Sequence, residues 1–534
     1  MPDLTRPAAW SILSAAWLAA AIVINPLGDF PLNDDWAYGR VVESLYRLGH
    51  LQFPGEVAVS LVAQSIWGLL FVKTLGFSFT VLRSSTLVAG LAGVILVYEL
   101  FVALRLAPAT RWLGTVCTGF TPLYVNLSYT FMTDVFFFTA SVGALVFFVR
   151  FWQTGREHAF WIAVGFSLVA VFTRDAGMVV PAAFAVACTR RRRREVGLAS
   201  WRRWVPLLLC GGALVVYQQW LAATDRLPIA YGIHAQHLRH DHVADLVRKA
   251  LTAGRAILCY VGLLLFPLLL PIAAGRMGET SPRDRTRALA LGAAVATMLL
   301  AATLVQRTVL PMYVGNILSR ASLGPVVIPM AVESLGRASR LFWVPVTLIS
   351  IVGGALQVMI APDAVAAFRR HDDPARTMTM AAAAMYVGGL LVTEVLDRYF
   401  LLILPLAVVF LGGLTPRVPS WTRAASAVVL GAMVALGVAG THDYLAWNRA
   451  RWALARGFIA GARPDRLDGG LEVDAWFAYP LERPFVSDRS WWWVARKPYL
   501  ITLRPLPRHE LISREPTHTW LPFGDGSIYL LRRE

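Results

Sequence analysis

Long apolar runs, broken by short polar or basic stretches, set the pattern of this chain. They fall near residues 9–26, 81–104, 112–128, 135–151, 159–173, 175–189, 204–222, 251–274, 288–306, 341–361, 378–396, 399–414 and 424–440. A helix needs roughly 17–25 predominantly apolar residues to cross a bilayer. The pattern therefore predicts a polytopic α-helical membrane protein with about thirteen transmembrane helices.

Two stretches depart from that rule. Over 36–49, Tyr38, Val41, Val42, Leu45 and Leu48 recur at helical spacing, and Arg40, Glu43, Ser44 and Arg47 take the opposite side. This periodicity predicts an amphipathic helix lying in the membrane interface. Residues 57–76 are apolar but carry Gln64 and Lys73, and read as a second interfacial helix. From about residue 441 the character changes. An amphipathic helix is expected over 443–459, a loop at Pro464–Gly470, and strand-like runs at 491–503 and 527–532. The expected organisation is a membrane domain over 1–440, including the interfacial helices near 34–76, and a small extracytoplasmic α+β domain over 441–534.

Composition supports lipid as the solvent. The 534 residues are 57% hydrophobic and 16% charged, with a mean hydropathy of +0.55, more apolar surface than a soluble domain can bury. The net charge of +17 is spread between apolar spans, so lipid phosphates rather than nucleic acid are its expected counter-charges. Cys117, Cys188, Cys210 and Cys259 lie in apolar runs with no metal-ligand spacing, and read as small buried hydrophobes. The N-terminal apolar stretch reads as a retained first helix. Basic clusters at Arg190–Arg194, Arg276–Arg287, Arg369–Arg376 and Arg417–Arg423 fall on one side, which the positive-inside rule makes cytoplasmic.

The unusual polar residues then collect on the other face: Asp34 and Asp35, Asp134, Arg174-Asp175, Asn316 with Arg320, Asp397-Arg398 and a loop holding His234, His237, His240 and His242. Asp34 and Asp35 read either as an N-cap of the helix that follows or as a general base or metal ligand at the bilayer surface. Asp134 starts a very apolar run, where a carboxylate is costly unless capped, paired or metal-bound. Two such carboxylates can share a divalent cation. Arg174-Asp175 and Asp397-Arg398 read as local ion pairs, or as arginines that grip a phosphate through their planar fork. The histidines read as a solvated loop.

Asp34-Asp35-Trp36-Ala37-Tyr38, placed after the first span, resembles the acidic motif of the GT-C superfamily of polyprenyl-phosphate-sugar-dependent glycosyltransferases, nearest its aminoarabinose-transferase and protein O-mannosyltransferase branch. Phe131-Met132-Thr133-Asp134 is similar to the second-loop acidic position of that family. Asp397-Arg398-Tyr399 through Pro405 resembles its late Arg-Tyr…Pro span. Phe53-Pro54-Gly55-Glu56-Val57 stands where the branch often has a Glu/Lys-Pro-Pro run.

The resemblance implies an inverting glycosyltransferase of the bacterial inner membrane, acting at its periplasmic face. Asp34 would be the catalytic base with Asp35 second, and Arg174, Arg320 and Arg398 would bind the donor phosphate. Asp134 and Glu56 are the candidate ligands of a divalent metal cation. Expected partners are a polyprenyl-phosphate sugar donor, membrane lipids and a glycan, lipid or protein acceptor, without nucleic acid. The competing class is a polytopic lipid or sugar transporter or flippase.

Overall fold

The computed structural model describes residues 5–190, 201–232, 242–311, 314–319, 322–329, 338–370, 373–414, 416–478, 497–522 and 525–534. Within these, eight helices are long and apolar enough to cross a membrane, and a bent pair makes up to nine. They include α1 (Arg6–Ile24), α4 (Phe79–Ala103), Thr133–Thr154, Val205–Ala223, Pro282–Val305 and Pro374–Val392. Val205–Ala223 and Pro282–Val305 have only 17% of their apolar stretches buried within the protein. Surfaces this apolar and this uncovered need lipid as solvent, so the chain is a polytopic helical membrane protein.

The other five expected spans are short or broken. The run 112–128 is two helices, Pro108–Gly119 and Pro122–Ser128. Pro122 lacks an N–H and starts the second helix, and the Thr121 hydroxyl caps it by accepting from Tyr124 N. The run 251–274 bends by 87° between Val243–Leu264 and Phe266–Glu279, with Pro267 at the second position after the break. The runs 159–173 and 175–189 become the shorter helices Glu157–Val171 and Asp175–Thr189. The run 399–414 opens as a 3-10 turn, Asp397–Leu402, before the helix Ile403–Leu411. The breaks before Asp175 and at Asp397 carry Arg174 and Arg398, so the interruptions in the apolar pattern coincide with functional candidates.

The amphipathic prediction is realised as α2 (Asp35–Leu48), which buries Asp35, Trp36, Ala37, Tyr38, Val41 and Val42. Leu48 emerges 60% exposed. Residues 57–76 yield α3 (Val62–Leu75), 14 residues long, whose first turn is satisfied from outside the helix: Leu61 N and Ala63 N donate to the carbonyls of Thr173 and Phe172 at 3.4 and 3.1 Å. Arg83, fully buried in α4, donates to the carbonyls of Tyr129, Pro26, Gly28 and Phe30 at 2.6–3.1 Å. One guanidinium thus fixes both the chain entering α2 and the turn preceding Asp134.

The helix expected at 443–459 is the end of a single 40-residue helix, Ser420–Ile459, so the expected boundary at 440 falls inside continuous helix. The sheet packed on its end has strand order β3-β4-β6-β5, from β3 (Leu467–Asp468), β4 (Tyr499–Thr502), β5 (His509–Pro516) and β6 (Ser527–Arg533). β3 and β4 are parallel and the other pairs antiparallel. β5 was not anticipated. It is an edge strand with most positions exposed, and so carries no apolar alternation.

Candidate active site

The C-terminal part is built into the wall of the site. Arg451 on the long helix donates to Gly469 O at 2.8 Å and Asn448 Oδ1 at 3.2 Å, and pairs with Glu472 Oε2 at 2.8 Å. The other Glu472 oxygen accepts the N–H of Asn33 at 3.0 Å. Arg40 of α2 donates to Trp476 O at 2.6 Å and lies over its ring at 4.4 Å. Asn33, at φ +55°, is thereby held in a left-handed turn that delivers Asp34 and Asp35 in different directions.

Asp34 stands at the N-cap position of α2 but makes no side-chain cap bond. Its carboxylate turns instead toward Arg398 Nη2 at 3.5 Å, with 37% of the side chain exposed. The capping explanation therefore does not account for it. Asp35 turns inward and is 2% exposed. Burial is the main reason its carboxyl is pushed up to about 8, against the opposing pull of the Phe131 N–H and the Arg83 charge. Gln64 Nε2 donates to the carbonyl of Phe131 at 2.6 Å, so Asp35 and Gln64 clamp opposite sides of the turn that leads to Asp134. Asp35, expected as a second catalytic carboxylate, is a protonated anchor at neutral pH and does not join Asp34.

Asp134 lies in the first turn of Thr133–Thr154, where no side chain caps the helix. Arg174 Nη2 approaches Asp134 Oδ1 at 2.9 Å and Arg174 Nε donates to Thr133 Oγ1 at 2.7 Å. Arg398 Nε lies 4.0 Å from Asp134 Oδ2. Neither Asp134 oxygen meets hydrogen-bond geometry, so these are contacts of charge rather than aligned bonds. Tyr399 contributes its ring beneath both guanidiniums, 5.2 Å from Arg174 and 5.5 Å from Arg398. Burial works against charging Arg398, but Tyr399, Asp134 and Asp34 outweigh it and its pKa is raised. Four residues from four separated segments, Asp34, Asp134, Arg174 and Arg398, thus form one cluster with balanced charges.

The neighbouring aspartates do not pair locally with these arginines. Asp175 accepts from the hydroxyls of Ser60 and Tyr231. Asp397 accepts the N–H groups of Ile317 and Leu318 at 2.8–3.1 Å, holding the hairpin of β1 (Leu318–Ser319) and β2 (Ser322–Leu323). Burial pushes the Asp397 carboxyl up to about 6, against these backbone donors. In each Arg/Asp dipeptide the arginine reaches the cluster and the aspartate ties down a second segment. Arg320, His234, His237 and His240 lie outside the described residues.

The donor set does not fit a divalent cation. Asp134, the principal candidate ligand, faces two guanidiniums, whose positive charges oppose a cation at that carboxylate. Glu56 is half-buried in the turn over 54–57. Among the described residues no three His, Cys, Asp or Glu side chains converge as a metal site. Asp134 and Glu56, the expected metal ligands, are not brought together in a group of three or more such side chains among the described residues, and arginines supply the positive charge that faces Asp134.

No protein-family model matches the sequence, and no curated protein matches it. Among solved structures, the chain is similar to ArnT from Cupriavidus metallidurans in the apo state, at 15% identity and TM-score 0.39 over 89% of this chain and 85% of that one. It is also similar to the same protein bound to undecaprenyl phosphate, at 14% identity and TM-score 0.40 over 88% and 84%. A third likeness is to the archaeal oligosaccharyltransferase AglB from Archaeoglobus fulgidus, in complex with an inhibitory peptide and a dolichol-phosphate. There the identity is 11% and the TM-score 0.42, over 85% of this chain and 58% of that one. At these identities and scores the function has to be argued from the site itself.

Thr133 and Tyr399 stand inside the runs that resemble the family and Gln64 interrupts an apolar stretch, but the sequence assigns none of them a role, and Glu472 carries no signal at all. Glu472 lies 439 residues from its partner Asn33, and no local pattern connects them.

Proposed function

We propose that the chain is a GT-C-type membrane glycosyltransferase that moves a sugar from a polyprenyl-phosphate carrier to an acceptor hydroxyl, with inversion, at the periplasmic face of the bacterial inner membrane. The observation that carries this reading is the convergence of one partly exposed carboxylate, Asp34, with two buried guanidiniums, Arg398 and Arg174. A departing phosphate needs fixed cations, and a neutral hydroxyl needs a proton acceptor. The cluster supplies both.

The acceptor oxygen attacks the anomeric carbon as the bond from that carbon to the phosphate oxygen breaks. The electron pair leaves on the phosphate, which Arg398 and Arg174 stabilise, and Asp34 takes the hydroxyl proton. The products are the glycosylated acceptor, the free polyprenyl phosphate and a protonated Asp34, which returns its proton to water. The donor bond is already activated, so alignment and charge stabilisation are the main demands on the protein.

Asp34→Asn is expected to abolish transfer while leaving the fold intact, because the side chain caps nothing. Membranes bearing that variant, supplied with a polyprenyl-phosphate-sugar pool, are scored for loss of product. Full activity in the variant removes Asp34 as the base. Mass spectrometry of lipid-linked sugars and envelope glycans in cells lacking the protein would identify sugar and acceptor together.

A further inference from the structure

The three buried arginines near the site are satisfied to very different degrees. Arg83 donates to four carbonyls. Arg174 has a hydroxyl at 2.7 Å and a carboxylate at 2.9 Å. Among the described residues Arg398, 7% exposed, has as hydrogen-bond and ion-pair partners a thioether, Met132 Sδ at 3.9 Å, the Asp34 carboxylate at 3.5 Å, and Asp134 at 4.0 Å, above the Tyr399 ring. Its Nε makes no hydrogen bond. A guanidinium carries five donors, and a buried one with this set of partners is poised for a better acceptor. Of its two carboxylate partners Asp134 is shared with Arg174 and buried, whereas Asp34 is partly exposed and held by one long contact. Asp34 is therefore the displaceable partner.

We propose that Asp34 and the carrier phosphate compete for Arg398, so that donor binding releases the base. This rests on the function proposed above and adds an order to it. In the free protein Arg398 holds Asp34 in an ion pair, which occupies the carboxylate oxygen that an acceptor hydroxyl would need. A phosphate offers two oxygens to the guanidinium fork and replaces the 3.5 Å contact with shorter, charge-assisted bonds. Asp34 is then freed to meet the acceptor hydroxyl. Proton removal is confined to complexes that already contain donor, and the acceptor reacts second.

The test is a binding measurement with undecaprenyl phosphate as probe, by native mass spectrometry of the purified full-length protein. A partly exposed pair of this kind contributes roughly 0.2–1 kcal/mol, so losing the competitor is expected to tighten binding up to about fivefold. Asp34→Asn is expected to bind more tightly than wild type although it cannot catalyse transfer, and Asp34→Ser is expected to do the same. A gain in affinity is not produced by misfolding. Arg398→Gln is expected to weaken binding, and Asp34→Asn combined with Arg398→Gln to lose the gain. If Arg398→Gln weakens binding but both Asp34 variants bind no tighter than wild type, the competition is wrong and the phosphate site stands. If Arg398→Gln and Arg174→Gln both bind as wild type, the phosphate assignment fails and the competition fails with it.

Discussion

Asp34 and Asp35 are adjacent in sequence, yet Asp34 faces Arg398 and is partly exposed whereas Asp35 is buried with its carboxyl pushed up to about 8, and replacing Asp35 by Asn tests the neutral state of the buried one. With its carboxyl at about 8 against an ordinary 3.8, Asp35 is mostly neutral at pH 7, and asparagine mimics the neutral form. The sign follows from the raised value. The native state favours the protonated acid, so the stabilisation is complete below about pH 4 and is lost as the pH rises through 8. At pH 7 the native state must keep a proton that the unfolded chain has released. At about 1.36 kcal/mol per unit, that costs roughly 4 kcal/mol, on the order of several degrees in apparent melting temperature. Asp35→Asn removes the term. The variant is expected to melt near wild type at pH 4.5, to melt several degrees higher at pH 8, and to retain most of its transfer activity at pH 7. Thermal melts in detergent across that range, paired with a transfer assay, read both effects. A folded variant without activity, or one whose stability changes with pH just as wild type does, would refute the inward, neutral assignment.

Further substitutions probe the scaffold around the cluster. Asp134→Asn leaves the buried Arg174 and Arg398 short of counter-charge, at a cost of roughly 3–5 kcal/mol, read as a lowered melting temperature. Glu472→Ala strands Arg451 and removes the acceptor of the Asn33 N–H, so stability and transfer are expected to fall together. Arg451→Met combined with Glu472→Leu is expected to recover stability without recovering full activity, because the Asn33 contact stays lost. Asp397→Ala removes the acceptor for the N–H groups of Ile317 and Leu318, at roughly 1–3 kcal/mol each. Hydrogen exchange at those amides is expected to rise while the membrane helices are unchanged.

Much of the site could be read from the sequence because charge is conspicuous in an apolar chain. Asp34, Asp134, Arg174 and Arg398 each stood out as a charge at the edge of an apolar run, and in the structure they meet. Their partners could not be predicted, because the reading paired neighbours: Asp175 and Asp397 serve distant segments. The burial of Asp35 follows from the same helical phase that buries Tyr38 and Val42. The membrane helices followed where an apolar run carried no internal break. They failed at Pro122 and Pro267, where hydropathy stays high while the backbone loses a donor. The continuity of Ser420–Ile459 was missed because composition changes along a helix without ending it.

That helix sets a distance. Its 40 residues span about 60 Å at 1.5 Å each, twice the roughly 30 Å depth of the hydrocarbon layer. Arg451 stands in the C-terminal half of this mast, and through Glu472 and Asn33 it holds the turn that carries Asp34. The reaction plane is therefore gauged by a rigid length rather than by a tether. On the function proposed above, an acceptor would bring its hydroxyl to that height, and inserting a single turn below Arg451 would lift the gauge by about 5.4 Å without touching any residue of the cluster.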